Sequence, residues 1–167
     1  MSLFLQRSTF LLGALILLSV TWGCKSEQGA QSRGALPGDF LLKMNKGSCF
    51  GQCQVYSLQV NPEGKLSFNG YRNVPIGEYV KQLSLPTQQS LLKAIKSSGF
   101  FELEDRYDNR DLSDLPSFTT YIRLNGKEKR VLNRFGAPEA LEAFQEELIS
   151  IIKPFENLEL LEEQDSK

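Results

Sequence analysis

A chain of 167 residues carrying 19 Lys and Arg against 20 Asp and Glu, with a net charge of −1 and no histidine, excludes several functions before any motif is read. Near-neutral charge gives no electrostatic case for nucleic acid, which requires a basic patch. The lack of histidine removes Ser–His and Cys–His nucleophile pairs and the commonest general base.

The first element is an export signal. Arg7 precedes an apolar run from Phe10 to Val20, no acidic residue interrupts it, and Val20-Thr21-Trp22-Gly23-Cys24 follows. A charged start, an apolar core of about 7–15 residues and a small residue before the cut describe such a signal. The run is shorter than the roughly 18–20 residues that span a bilayer. The cysteine directly after Gly23 makes the segment resemble a bacterial lipoprotein signal, although Thr21 stands where such boxes usually carry Leu. That resemblance implies removal of residues 1–23, lipidation (palmitate-type acyl chains) at Cys24, and attachment to the membrane by lipid alone. Lys25-Ser26 lacks the Asp that often retains lipoproteins at the inner membrane, so outer-membrane residence is expected. Residues 24–37 are small and polar and read as a flexible tether.

A folded domain is expected over residues 38–155, with eleven Phe and five Tyr in the chain to supply a core. Phe40 to Met44 reads as a first strand. Val55 to Val60 alternates, with Tyr56, Leu58 and Val60 on one face and Ser57 and Gln59 on the other. Asn61-Pro62-Glu63-Gly64 is a turn, and Leu66 with Phe68 completes a hairpin. Tyr79 to Leu83 reads as a further short strand. A helix then runs from a Ser84 N-cap, with Pro86 in its first turn, to Gly99. Glu102 to Asp114 reads as a long acidic loop. Phe118–Leu124 and Lys127–Asn133 flank Asn125-Gly126, the strongest short hairpin signal. A last helix begins near Pro138 and carries Leu141, Phe144, Leu148, Ile151 and Ile152 at helical spacing; Pro154 ends it. Residues 156–167 form an acidic tail. This order predicts one α+β domain, a mainly antiparallel sheet of two hairpins packed with two helices.

Three cysteines would leave one thiol over in an exported protein. With Cys24 lipidated, Cys49 and Cys53 remain as a pair, and an oxidising compartment makes a disulfide its expected state. Gly51 supplies the backbone freedom of so short a ring. Two other chemistries compete. A redox dithiol is usually Cys-x-x-Cys at a helix N-terminus, whereas this spacing is one longer and a strand follows. Met44, Cys49 and Cys53 could form the thioether–thiolate set that Cu(I) prefers. Zinc is disfavoured without histidine or a further cysteine.

Cys49-x-Gly51-x-Cys53-x-x-Tyr56, a hairpin with Gly64, and the helix exit Gly99-Phe100-Phe101 together resemble the bacterial exported domain of unknown function DUF6438, over roughly Phe40 to Ile152. Members usually have Pro after the second cysteine, where this chain has Gln54. The resemblance implies a domain boundary, and no catalytic residue.

The acidic loop offers Glu102, Glu104, Asp105, Asp108, Asp111 and Asp114 as oxygen ligands for calcium. Its spacing lacks EF-hand alternation, and Arg106 and Arg110 lie among the carboxylates, so a solvated loop is the expected reading. Glu102 and Asp114 could pair across a cleft as hydrolytic carboxylates, and no P-loop or dinucleotide Gly pattern occurs. The expectation is a non-catalytic binding module of the cell envelope, without cofactor, whose partner is an envelope protein or ligand; the alternative is copper or thiol-redox handling through Cys49 and Cys53.

Overall fold

A computed structural model describes residues 35–109, 111–112 and 115–161. Cys24, the signal, most of the tether, Arg110, Asp114 and the end of the acidic tail lie outside the described residues.

The strands form where β-branched and aromatic residues alternate with polar ones. In chain order they are β1 (Leu41–Lys46), β2 (Val55–Val60), β3 (Lys65–Arg72) and β4 (Gly77–Gln82), then β5 (Arg106–Tyr107), β6 (Phe118–Leu124), β7 (Lys127–Asn133) and β8 (Glu159–Leu160). The helices are α1 (Leu85–Ser97) and α2 (Glu139–Ile152), and a 3-10 turn covers Phe100–Glu102. All eight strands join one sheet in the order β5-β7-β6-β1-β2-β3-β4-β8. Every pairing is antiparallel except that of β5 with β7. The α+β expectation holds, but the sheet is larger than two hairpins. β1 lies at its centre, between β2 and β6, and welds the parts into one surface. Both edges are strands of two residues, short enough to offer little template for pairing with another chain.

Local chemistry sets the connections. At the β2–β3 turn, Asn61 Oδ1 accepts from the Lys65 amide at 2.8 Å, and Gly64 takes φ 74°. Glycine adopts that conformation without strain. Ser84 caps α1 by accepting from the Thr87 amide. Asn125 and Gly126 both have positive φ at the β6–β7 turn, as a two-residue hairpin requires. Their amides donate to the Asp39 carboxylate at 3.1 and 2.6 Å, which ties this turn to the entrance of β1. The Gly126 amide is the main reason that the Asp39 carboxyl titrates below its usual range.

One face of the sheet makes the core. Leu42, Met44, Tyr56, Leu58, Val60, Leu66, Phe68, Ile122, Leu124 and Val131 point from alternate positions toward Leu91 and Ile95 of α1 and Leu141, Phe144, Leu148 and Ile152 of α2. Lys81 reaches from β4 to the C-terminus of α2, where its Nζ donates to the carbonyls of Ile152, Lys153 and Glu156. A cation there complements the helix dipole, and partial burial draws the Lys81 ammonium below its ordinary pKa.

Three expected boundaries move. Leu36, read as tether, is buried in the core, and the Ala35 amide donates to Gln88 Oε1 at 3.0 Å. The ordered domain therefore begins before residue 38. The segment read as a long loop begins on the last residue of the 3-10 turn and contains β5, whose residues Arg106 and Tyr107 pair with Leu132 and Asn133. The tail beyond 155 supplies β8, antiparallel to β4. A single leucine and two-residue strands have no periodicity to read, and only tertiary contact fixes them.

Candidate functional site

The opposite face of the sheet bears no helix among the described residues. Strand register places its side chains in rows that cross the strands. One row runs Thr119 (β6), Asn45 (β1), Ser57 (β2), Asn69 (β3) and Glu78 (β4). The next runs Arg130 (β7), Tyr121 (β6), Lys43 (β1), Gln59 (β2), Ser67 (β3) and Val80 (β4). These rows floor an open trough of about 760 Å³. Tyr121 donates to Glu128 Oε2 at 2.8 Å, and that hydrogen bond, followed by burial, raises its phenol pKa. Asn69 Nδ2 donates to Glu78 Oε1 at 3.0 Å. Lys43 and Arg130 are exposed and form no ion pair with a described residue.

The cysteine motif stands at one end of this trough. Cys49 and Cys53 are joined by a disulfide across a Cα–Cα distance of 5.9 Å. Gly51 between them has φ 139°, while open space surrounds the position of a Cβ, so conformation is what favours glycine there. Two hydrogen bonds attach this turn to the β3–β4 connection: Arg72 Nη2 donates to Cys49 O and Asn73 Nδ2 to Cys53 O, both at 3.0 Å. The joined loops carry exposed apolar side chains. Phe50 is 92 % accessible, and Tyr71 and Ile76 are more than half accessible. Tyr71 lies over the open face, its hydroxyl 3.3 Å from Ser57 Oγ. A ring of this size contributes about 2 kcal/mol by chain entropy. Replacing both Cys49 and Cys53 with Ser is therefore expected to lower the urea midpoint by no more than that, with the m-value unchanged; a larger loss would give the ring a global role.

The other motif residues are structural. Tyr56 is buried beneath Phe68 and Phe155, with ring centroids 5.6 and 5.5 Å away. A Cβ at Gly64 would strike the Gln88 side-chain amide. Met44 sits on the core face of β1, between Leu58 and Thr120 in register, while the two sulfurs proposed as its copper partners are bonded to each other.

The acidic loop is held by cations of the fold. Asp105 pairs with Lys129 at 2.6 Å. Asp108, its side chain only 5 % accessible, pairs with Arg134 at 3.4 Å and Arg106 at 3.7 Å. Arg134 also donates to the Leu112 carbonyl, and Asn109 Oδ1 accepts from the Asp111 amide. Glu102, Glu104, Asp105 and Asp111 are exposed, as a solvated loop requires, while strand pairing and the buried Asp108 add structure that this reading did not include. No group of three or more Cys, Asp or Glu side chains suited to a metal ion occurs among the described residues. With Asp114 outside them, the Glu102–Asp114 pair is likewise outside what the structure describes.

Sequence reasoning missed the row Arg130, Tyr121, Lys43, Gln59 and Ser67 as a unit. The alternation of β2 marks Gln59 as opposite to the core, but joining it to β6 and β7 requires the β1–β6 pairing.

This geometry defines an α+β domain with one helix-covered and one open sheet face. The chain belongs to the family described as Domain of unknown function (DUF6438), whose model matches residues 40–152. No curated protein matches the chain.

Proposed function

We propose that this chain is a lipid-anchored, non-catalytic binding module of the cell envelope, attached through Cys24 and resident at the outer membrane. The open sheet face, with the disulfide turn at its end, is the recognition surface of this reading. The observation that carries it is a sheet whose second face holds a trough floored by polar side chains, with Leu41 and Leu161 also in its lining, while the β1–β2 connection exposes Phe50. Phe50 does not stand alone: its turn is hydrogen-bonded to Arg72 and Asn73, beside the exposed Tyr71 and Ile76, and apolar side chains grouped in water mark a contact surface. The short cysteine-to-domain segment suits a module presented close to a membrane.

The test is photocrosslinking in the native envelope, with the probe residue placed at Gln59, at Phe50, or at Lys93 on the outer side of α1. Crosslinked partners are expected from the first two positions, and few from Lys93. Equal capture at all three would sink the surface assignment, and release of Cys24→Ser protein from membranes tests the anchor.

A further inference from the structure

We infer that the open face binds an acidic glycan, a chain of sugars bearing carboxylates, laid across strands β7 to β3. The inference rests on the reading of this face as the recognition surface and names its ligand class. Its basis is the row Arg130, Tyr121, Lys43, Gln59, Ser67, in which five adjacent strands contribute one side chain each.

The chemistry of that row changes along its length. Arg130 and Lys43 flank the Tyr121 ring, and neither is neutralised by an ion pair with a described residue. Of the neighbouring groups, Arg123 is engaged with Asp39, whose carbonyl accepts from its Nε at 2.9 Å, and Glu128 accepts from Tyr121. A hydrogen bond from a neutral phenol leaves the Glu128 carboxylate charged, so Arg130 and Lys43 stand against that carboxylate and leave this end net cationic, and an arginine fork suits a carboxylate in particular. Beyond Lys43, Gln59, Ser57, Ser67, Asn69 and Asn45 offer amides and hydroxyls as far as β3. These groups both donate and accept, as sugar hydroxyls do. The next strand, β4, brings the Glu78 carboxylate, which accepts from Asn69 and bounds the glycan's path on that side.

Competing ligand classes fit less well. A protein interface is organised around buried aromatic or aliphatic anchors, whereas short polar side chains occupy the middle of this face, with Leu41, Val80, Leu132 and Leu161 at its periphery. Single-stranded nucleic acid needs several stacking aromatics along a basic groove, and the row holds one tyrosine. Strand spacing of about 4.8 Å is close to the length of one pyranose unit, so successive sugars would meet successive strands. The trough's volume of about 760 Å³ lies within the roughly 300–1,000 Å³ usual for small-ligand sites.

The probe is a tetragalacturonate, titrated into the full chain and followed by amide NMR shifts, beside a neutral cello-oligosaccharide and a hexaglutamate peptide. Saturable shifts confined to β1, β2, β3, β6 and β7 are expected with the uronate. Lys43→Gln with Arg130→Gln should weaken it at least about tenfold, the loss of a charge-assisted hydrogen bond. Both residues are exposed, and an unchanged thermal melt confirms the fold of the variant. Gln59→Ala should weaken the uronate by a smaller factor. Stronger binding of hexaglutamate, shifts that depend only on protein concentration, or no response to uronate each overturn the ligand class. Crosslinks from Gln59 in the envelope would then still uphold the surface, so the two ideas fail separately.

Discussion

Tyr56→Ala is expected to cost about 3–5 kcal/mol, the usual range for emptying a buried aromatic site. That is a large part of the 5–15 kcal/mol typical of a whole domain. Tyr56 is 1 % accessible and forms a three-ring cluster with Phe68 and Phe155, in which Phe155 meets both other rings edge-on. Its loss would also loosen the segment leading from α2 to β8. Tyr56→Phe keeps the ring and isolates the hydroxyl. Burial raises that phenol from 10.0 to about 12, so between these values the unfolded chain loses a proton that the folded chain keeps. Stability from this group is therefore complete below pH 10 and declines as pH rises toward 12, by roughly 2–3 kcal/mol in all. Urea midpoints measured from neutral pH to about pH 12 should diverge between wild type and Tyr56→Phe only above pH 10. Parallel curves would contradict a phenol sealed in the core.

The elements with strong periodicity were legible from sequence, and the reasons are local. Val55–Val60 and Phe118–Leu124 alternate and are bounded by the Asn-Pro-Glu-Gly and Asn-Gly turns, while Lys127–Asn133, which does not alternate, is legible only as the strand returning from Asn125-Gly126. The α1 start follows from a Ser84 cap and Pro86. Leu36, β5 and β8 were illegible because each depends on a partner distant in sequence: Gln88 and the core, β7, and β4. The site divides the same way. Cys49, Gly51 and Cys53 lie within five residues, so their ring is readable from spacing and compartment. The row from Arg130 to Ser67 draws on five strands, and one decisive pairing, Lys43 beside Tyr121, joins residues on opposite sides of α1 in the chain. Tyr56 stands in the motif as though it served a site, but its burial makes it a core residue. The acidic loop was legible in part, since most of its described carboxylates are exposed. Its carboxylates suggest solvent or calcium, whereas Asp105 and Asp108 find Lys129 and Arg134 across the fold.

Gln145→Leu is expected to cost about 2–4 kcal/mol, although it exchanges a polar residue for an apolar one in the core. Gln145 projects from α2 into the sheet and is 2 % accessible. Its Nε2 donates to Thr120 Oγ1 at 2.9 Å and to the Phe118 carbonyl at 3.4 Å, while its Oε1 accepts from Asn133 Nδ2 at 2.9 Å. One amide thus serves both strands of the β6–β7 hairpin. Leucine would leave the Thr120 hydroxyl, wholly inaccessible, and the Asn133 amide without that partner, and an unmet buried polar group costs about 1–3 kcal/mol. Removing the hydroxyl as well should recover part of the loss. The double variant Gln145→Leu, Thr120→Val is therefore expected to be more stable than the sum of its singles by about 1–2 kcal/mol. Strict additivity in denaturant melts would mean that the two side chains do not act together. The consequence reaches the open face because strand side chains alternate. Holding Thr120 against α2 fixes Tyr121 toward the trough, whereas a one-residue slip would exchange them. The buried amide thereby sets the phase in which Tyr121 stands between Arg130 and Lys43.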